Sequence, residues 1–147
     1  MKKIGNTSDF ISDRNRELHR RFMDVLKNSS GLSLRDMFGA TAKMPASRFW
    51  VSESRAAIVV GAMMRGRNLD KMYVKRREMF QEIFRRVSEK MKADPSLCMT
   101  HAVDIVVNEP APEFYLTSES ARSIIYRMRQ RKKKQSINIS KFIRHDS

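Results

Sequence analysis

Cysteine is nearly missing from this chain: Cys98 stands alone. That excludes an internal disulfide and any zinc site built on cysteine pairs. Helix breakers are scarce too, with four prolines and five glycines in 147 residues, so the composition leans towards helices. Long apolar runs are also missing. The longest, Ala56 to Met64, contains Gly61 and falls well short of the roughly 20 residues needed to cross a bilayer. The opening "MKKIGNTSDF" has lysines but no apolar stretch behind them, so no signal peptide is expected. A cytoplasmic protein with no membrane partner fits these absences.

What the chain does have is apolar residues and positive charge. Apolar residues make up 41%, enough for a core, and the length suits one domain or two very small ones. The net charge is +14. A surface of that sign attracts polyanions, nucleic acid first and an anionic membrane second.

The chain also repeats itself. Pro45–Met63 reads "PASRFWVSESRAAIVVGAM" and Pro110–Met128 reads "PAPEFYLTSESARSIIYRM". Five positions are identical at an offset of 65: Pro45/Pro110, Ala46/Ala111, Phe49/Phe114, Ala56/Ala121 and Met63/Met128. Five more hold near-synonyms, Trp50/Tyr115 and Val59/Ile124 among them. Unrelated stretches of that length share roughly one identity.

Apolar periodicity extends the repeat to six helices. Asp9–Lys27 carries Ile11, Leu18, Phe22, Val25 and Leu26 on one face, and "NSSG" ends it. Ser33 is placed to cap a second helix with Leu34, Met37, Phe38 and Thr41 inward, and Pro45 closes it. Ser52 is placed to cap a third, with Ala56, Val59, Val60 and Met63 at one-face spacing, ending near Met64. The pattern restarts at Val74–Lys92 with Met79, Phe80, Ile83, Phe84, Val87 and Met91. Asp94 with Pro95 is the expected start of a fifth helix bearing Met99, Ala102, Val103 and Val106. Thr117 is placed to cap the sixth, with Ala121, Ile124, Ile125 and Met128 inward.

The expected fold is therefore all-α: a pseudo-symmetric tandem of two three-helix units with a basic C-terminal tail. The divisions are a flexible start at 1–8, the first unit at 9–64, a basic linker at 65–73, the second unit at 74–130 and the tail at 131–147. "SINISKFIRHDS" shows no helical period, so the tail reads as a mobile arm or a short docked strand.

Three helices of which the last two are joined by a short turn resemble the helix-turn-helix class of DNA-binding domains, whose last helix enters the major groove. The sixth helix suits that role. Opposite its apolar face lie Ser118, Arg122, Ser123, Tyr126, Arg129 and Gln130. Arginine pairs with guanine edges or phosphates, and serine bonds to either. Charge points the same way. Residues 93–126 hold 1 basic and 5 acidic side chains, whereas 127–147 hold 8 and 1. Arg122, Ser118 and Ser123 are the candidate base readers. Arg127, Arg129 and the run Arg131, Lys132, Lys133, Lys134 are the candidate phosphate contacts. Arg55, Arg65 and Arg67 complete the set on and after the third helix. Asp94, Asp104, Glu109 and Glu113 should then point away from phosphates.

The third helix fits less well, because Ala57, Ile58, Gly61 and Ala62 occupy its outer side. Residues 55–64 are thus a candidate surface for a protein partner or self-association. An exposed Ile58 argues for that; a buried Ile58 beside an exposed Arg55 leaves DNA binding open there. Phe49–Trp50 and Phe114–Tyr115 could stack on unpaired bases, but their repetition beside prolines and caps favours plugs at the helix junctions. His101 and Asp104 stand three apart without further ligands nearby, so no metal is expected. Cys98, between Leu97 and Met99, reads as packing rather than a nucleophile. With no phosphate loop and no assembled acid, base or nucleophile, no cofactor and no catalysis are expected. The function expected is a non-enzymatic DNA-binding protein, a transcriptional regulator or mobile-element accessory factor, with duplex DNA as partner. The alternative is an interaction or structural module of the ribosome-associated or virion type.

Overall fold

The computed structural model describes the backbone of residues 7–145 and the side chains of residues 10–135. It is all-α. The helices are α1 (Thr7–Asn28), α2 (Leu34–Ala42), α3 (Glu53–Met64), α4 (Val74–Ala93), α5 (Met99–Val107) and α6 (Ser118–His145). Among the described residues there is no strand, only one isolated antiparallel bridge between Ala46 and Ala111.

Local chemistry starts three of these helices as the sequence implies. The Ser33 hydroxyl accepts from the Asp36 N–H, Ser52 from Arg55 and Thr117 from Ser120, each at 3.1 Å. Each bond satisfies a first-turn donor that the helix itself leaves open. At the far end of α3, Gly66 takes φ +89 and the Arg67 N–H reaches back to the Ala62 carbonyl at 3.1 Å. That is a left-handed stop, which a side chain would strain.

Four boundaries or faces differ from expectation. Asp94 does not cap α5: its carboxylate accepts from the Ser96 hydroxyl at 2.6 Å and the Ser96 N–H at 3.1 Å, forming a turn, and α5 starts only at Met99. Those bonds hold the Asp94 carboxyl below its ordinary range. Leu34 sits at the first position of α2 and is exposed, because the first turn overhangs the core that Phe38 enters. Thr7 and Ser8 already belong to α1; the rest of the expected flexible start, residues 1–6, lies outside the described residues. The expected tail 131–147 is helical as far as His145. No glycine or proline follows Pro112, and the run of lysine and arginine at 131–134 has good helix propensity.

The packing departs from units contiguous in sequence. α1 and α2 pack on each other, but the helix that joins them is α6; α3 packs instead on α4 and α5. Among the described residues neither α2 with α3 nor α5 with α6 is in contact. Each third helix has crossed to the other copy. The buried residues form one continuous core, to which α1, α2 and α6 give Leu18, Phe22, Phe38, Ala121 and Ile125, and α4, α5 and α3 give Phe80, Ile83, Val103, Val106 and Val60.

The two aromatic connections cross between these helix groups, and their backbone bonds are reciprocal. The Phe49 N–H donates to the Val107 carbonyl and the Phe114 N–H to the Ala42 carbonyl, both at 3.0 Å. Phe49 and Phe114 are both buried, and Tyr115 lies parallel to Phe49 with ring centres 6.1 Å apart. The aromatics at this crossing are plugs. Tyr115 takes φ 56, and burial, with Glu82 and Glu113 nearby, pushes its hydroxyl up to about 12. Arg48, also buried, ties the first connection to itself by donating to the Phe49 carbonyl at 3.1 Å and the Val51 carbonyl at 3.0 Å.

Candidate nucleic-acid interface

α6 is held by one face and open on the rest. Ala121, Ile124 and Ile125 are buried against α1 and α2, while Arg122, Ser123, Arg127, Arg129, Arg131, Lys132, Lys133 and Lys134 are exposed. Helical spacing sorts the cations. Arg122, Tyr126, Arg129 and Lys133 form one stripe at i, i+4, i+7 and i+11, with the tyrosine 62% exposed in its middle. Arg127, Arg131 and Lys134 form a second stripe on the other flank. Lys132 falls in line with the buried face, one turn beyond Met128, and looks along α1.

Among the described residues, none of these α6 cations is in an ion pair, and the only acid on this stretch is Glu119. α4 is the opposite case. Lys75 meets Glu113 at 2.9 Å and Glu78 at 3.4 Å, Arg85 meets Glu89 at 2.7 Å, and Lys90 meets Glu109 at 3.0 Å. Glu109 and Glu113 thus pair with Lys75, Arg86 and Lys90 of α4, while Arg76, Arg77 and Lys92 have no ion-pair partner among the described residues. A cation already paired inside the protein has less to gain from a phosphate than one facing only water and counterions.

The positive field reaches beyond α6. His19 on α1 is held below its ordinary value by burial, then by the charges of Lys132 and Arg129. Arg14 is likewise lowered by burial, then by Arg127 and Arg76. Among the described residues Arg14 donates to the neutral Asn15 side chain and, like Arg20 and Arg21, has no ion-pair partner. The Arg129 guanidinium lies 6.0 Å over the Phe22 ring, which fixes its stem against α1. Helical spacing alone places Arg20 off the Leu18–Phe22 face. That these α1 arginines join α6 was not legible in the sequence, because no local pattern tells which helix pair α6 covers.

The remaining expected site residues are placed elsewhere. Ser118 begins α6 in close contact with α2: a Cβ on Gly39 would come within 2.8 Å of its hydroxyl. Arg55, Arg65 and Arg67 are exposed on and after α3, which does not touch α6, so they belong to a separate surface. Ile58 on that surface is 62% exposed, with Arg55 beside it also exposed. Cys98 is exposed at the N-terminal boundary of α5 and does not pack between its neighbours as expected. Among the described residues no group of three or more His, Cys, Asp or Glu side chains could hold a metal, and no helix is long and apolar enough to cross a membrane. No family model, curated protein or solved structure matches the chain.

Proposed function

We propose that this chain is a non-enzymatic nucleic-acid-binding protein, a transcriptional regulator or mobile-element accessory factor, that grips phosphates with α6 and the adjoining face of α1. The observation that carries the proposal is the contrast in pairing: among the described residues no α6 cation has an acid partner, whereas Lys75, Arg85, Arg86 and Lys90 of α4 do. We read α1, α2 and α6 as a three-helix unit arranged like a helix-turn-helix domain but without a turn from α2 to α6, since α6 arrives from the other sequence copy, with α4, α5 and α3 as its pseudo-symmetric mate. α6 is 28 residues long, about 42 Å at 1.5 Å per residue, enough to lie along a duplex groove. Arg122 sits on its first exposed turn, where a helix of this kind meets base edges. Duplex DNA is the preferred partner.

The test is a binding titration of the full chain against random duplex DNA, single-stranded DNA and RNA at several salt concentrations. Tight duplex binding with a steep loss of affinity as salt rises is the expected outcome. Binding absent at low salt on all three would sink the proposal.

The exposure of Ile58 favours a second activity on another surface. Residues 55–64 of α3 lie in the helix group that α6 does not join, so a protein contact there and nucleic acid on α6 do not compete. Such a contact would suit an accessory factor, or a ribosome-associated or virion module if the nucleic-acid reading fails.

A further inference from the structure

Between α1 and α6 lies an open cleft of about 550 Å3, whose cationic rim is shared with the proposed phosphate-gripping surface. Its walls differ in chemistry. Trp50 and Met128 supply apolar surface; Arg20 and Lys132 supply charge from facing helices; Glu17 and Ser47 supply polar groups. Arg21 lines the adjoining opening, which shares Arg20 and Lys132.

Several of these groups are fixed in place. Trp50 is held by the Phe10 ring edge-on at 5.2 Å and by the Arg48 guanidinium 5.5 Å over its face. The Glu17 carboxylate is buried and accepts from the Ser47 N–H and the Ser47 hydroxyl, both at 2.6 Å. Each of its oxygens keeps a further lone pair for another donor. Asp13, on the rim, is engaged by Arg16, which leaves Asp24 in the adjoining opening as the acid there without an ion-pair partner among the described residues. Arg20, Arg21 and Lys132 have no ion-pair partner among the described residues either.

A second observation singles out the same place. Two buried donors, the Trp50 indole N–H and the Arg21 Nε–H, have no acceptor among the described residues, and both residues line this cleft or its neighbour. Buried donors without acceptors are rare, and these two, themselves closed to solvent, leave unfilled hydrogen-bonding capacity in the cleft wall.

We propose that the cleft between α1 and α6 is a nucleotide site, with the base against Trp50 and Met128, its N–H groups facing Glu17, and the phosphate on Arg20, Arg21 and Lys132. An apolar wall beside an acceptor and a cationic rim matches a base joined to a phosphate better than it matches either part alone. The same chemistry has two sources: a free nucleoside phosphate, or an unpaired nucleotide of a strand lying on α6. The second source rests on the nucleic-acid proposal, since Lys132 belongs to both surfaces.

Trp50 is the only tryptophan, so its fluorescence reports on the cleft directly. The full chain would be titrated with adenosine 5′-monophosphate, adenosine and inorganic phosphate, and with two duplexes, fully paired or carrying one unpaired adenosine. The monophosphate should change Trp50 emission saturably, and adenosine and phosphate should each bind at least about tenfold more weakly. Lys132→Ala and Arg20→Ala, both exposed positions, should each weaken the monophosphate about tenfold, with the helical circular dichroism unchanged. A response to the monophosphate identifies the free nucleotide as a ligand, and a response to the bulged duplex but not the paired one identifies the strand. Inorganic phosphate acting as strongly as the monophosphate would overturn the proposal in favour of a plain anion site. Silence of Trp50 towards both the monophosphate and the bulged duplex would overturn it outright. Paired-duplex binding followed by anisotropy would show separately whether the α6 proposal stands.

Discussion

Ala46 and Ala111 exchange two backbone hydrogen bonds, each N–H to the other's carbonyl at 3.0 Å. They are the same position of the two sequence copies, 65 residues apart. Both are nearly fully buried, and their small side chains let the two connections touch. The contact sits where the chain crosses from one helix pair to the other, so it is the point at which the third helices part from their own copies.

That exchange is open to a direct check. A Cβ on Gly39 of α2 would stand 3.8 Å from the Ser118 Cβ of α6, the mean separation in a disulfide. With Cys98→Ser in the background, Gly39→Cys with Ser118→Cys should form an intramolecular disulfide under mild oxidation, read by mass and by gel mobility without reductant. Failure of the pair to close would count against α6 covering α2.

Charge removal should separate the two basic surfaces. Replacing Arg131, Lys132, Lys133 and Lys134 with glutamine should flatten the slope of log affinity against log salt on duplex DNA, by up to about 0.9 for each phosphate no longer neutralised. The same change at Arg55, Arg65 and Arg67 should leave that slope nearly intact, because α3 faces away from the α6 unit. Equal effects from both sets would mean that nucleic acid spans both helix groups.

Arg122 should behave differently from the lysine run. Its loss in Arg122→Ala should reduce discrimination between a preferred site and random duplex by about 1–3 kcal/mol, the worth of a base-reading arginine. The measurement is affinity for a selected site and for random DNA side by side. A uniform loss on both would make Arg122 a phosphate contact.

His19 gives the fold a pH dependence. Burial first, then Lys132 and Arg129, lower its proton affinity in the folded state. The unfolded chain therefore takes up the proton first as pH falls through about 6.5, and the folded state loses stability from there downward. Above that value His19 is neutral in both states and contributes no pH dependence. Urea midpoints should fall between pH 7.5 and pH 5.5, and His19→Gln should shrink that fall. An unchanged pH response in the variant would assign the dependence to other groups.

The helices, three of their caps and the internal repeat were determined by the sequence itself. Such features depend on neighbours within a few residues: Ser33, Ser52 and Thr117 bond three positions on, and apolar residues at i, i+3, i+4 and i+7 mark a face wherever that face ends up. The α6 cations were legible for the same reason. Their extension by Arg14, Arg20 and Arg21, the Trp50 cleft and the pairing of Lys75, Arg86 and Lys90 with Glu113 and Glu109 were decided only by tertiary structure. The physical reason lies in the repeat. Ala56, Val59, Val60 and Met63 present nearly the same surface as Ala121, Ile124, Ile125 and Met128, so either third helix could complement either helix pair. What chooses is the path of the connections through Ala46 and Ala111, a contact between segments 65 residues apart that no local pattern encodes.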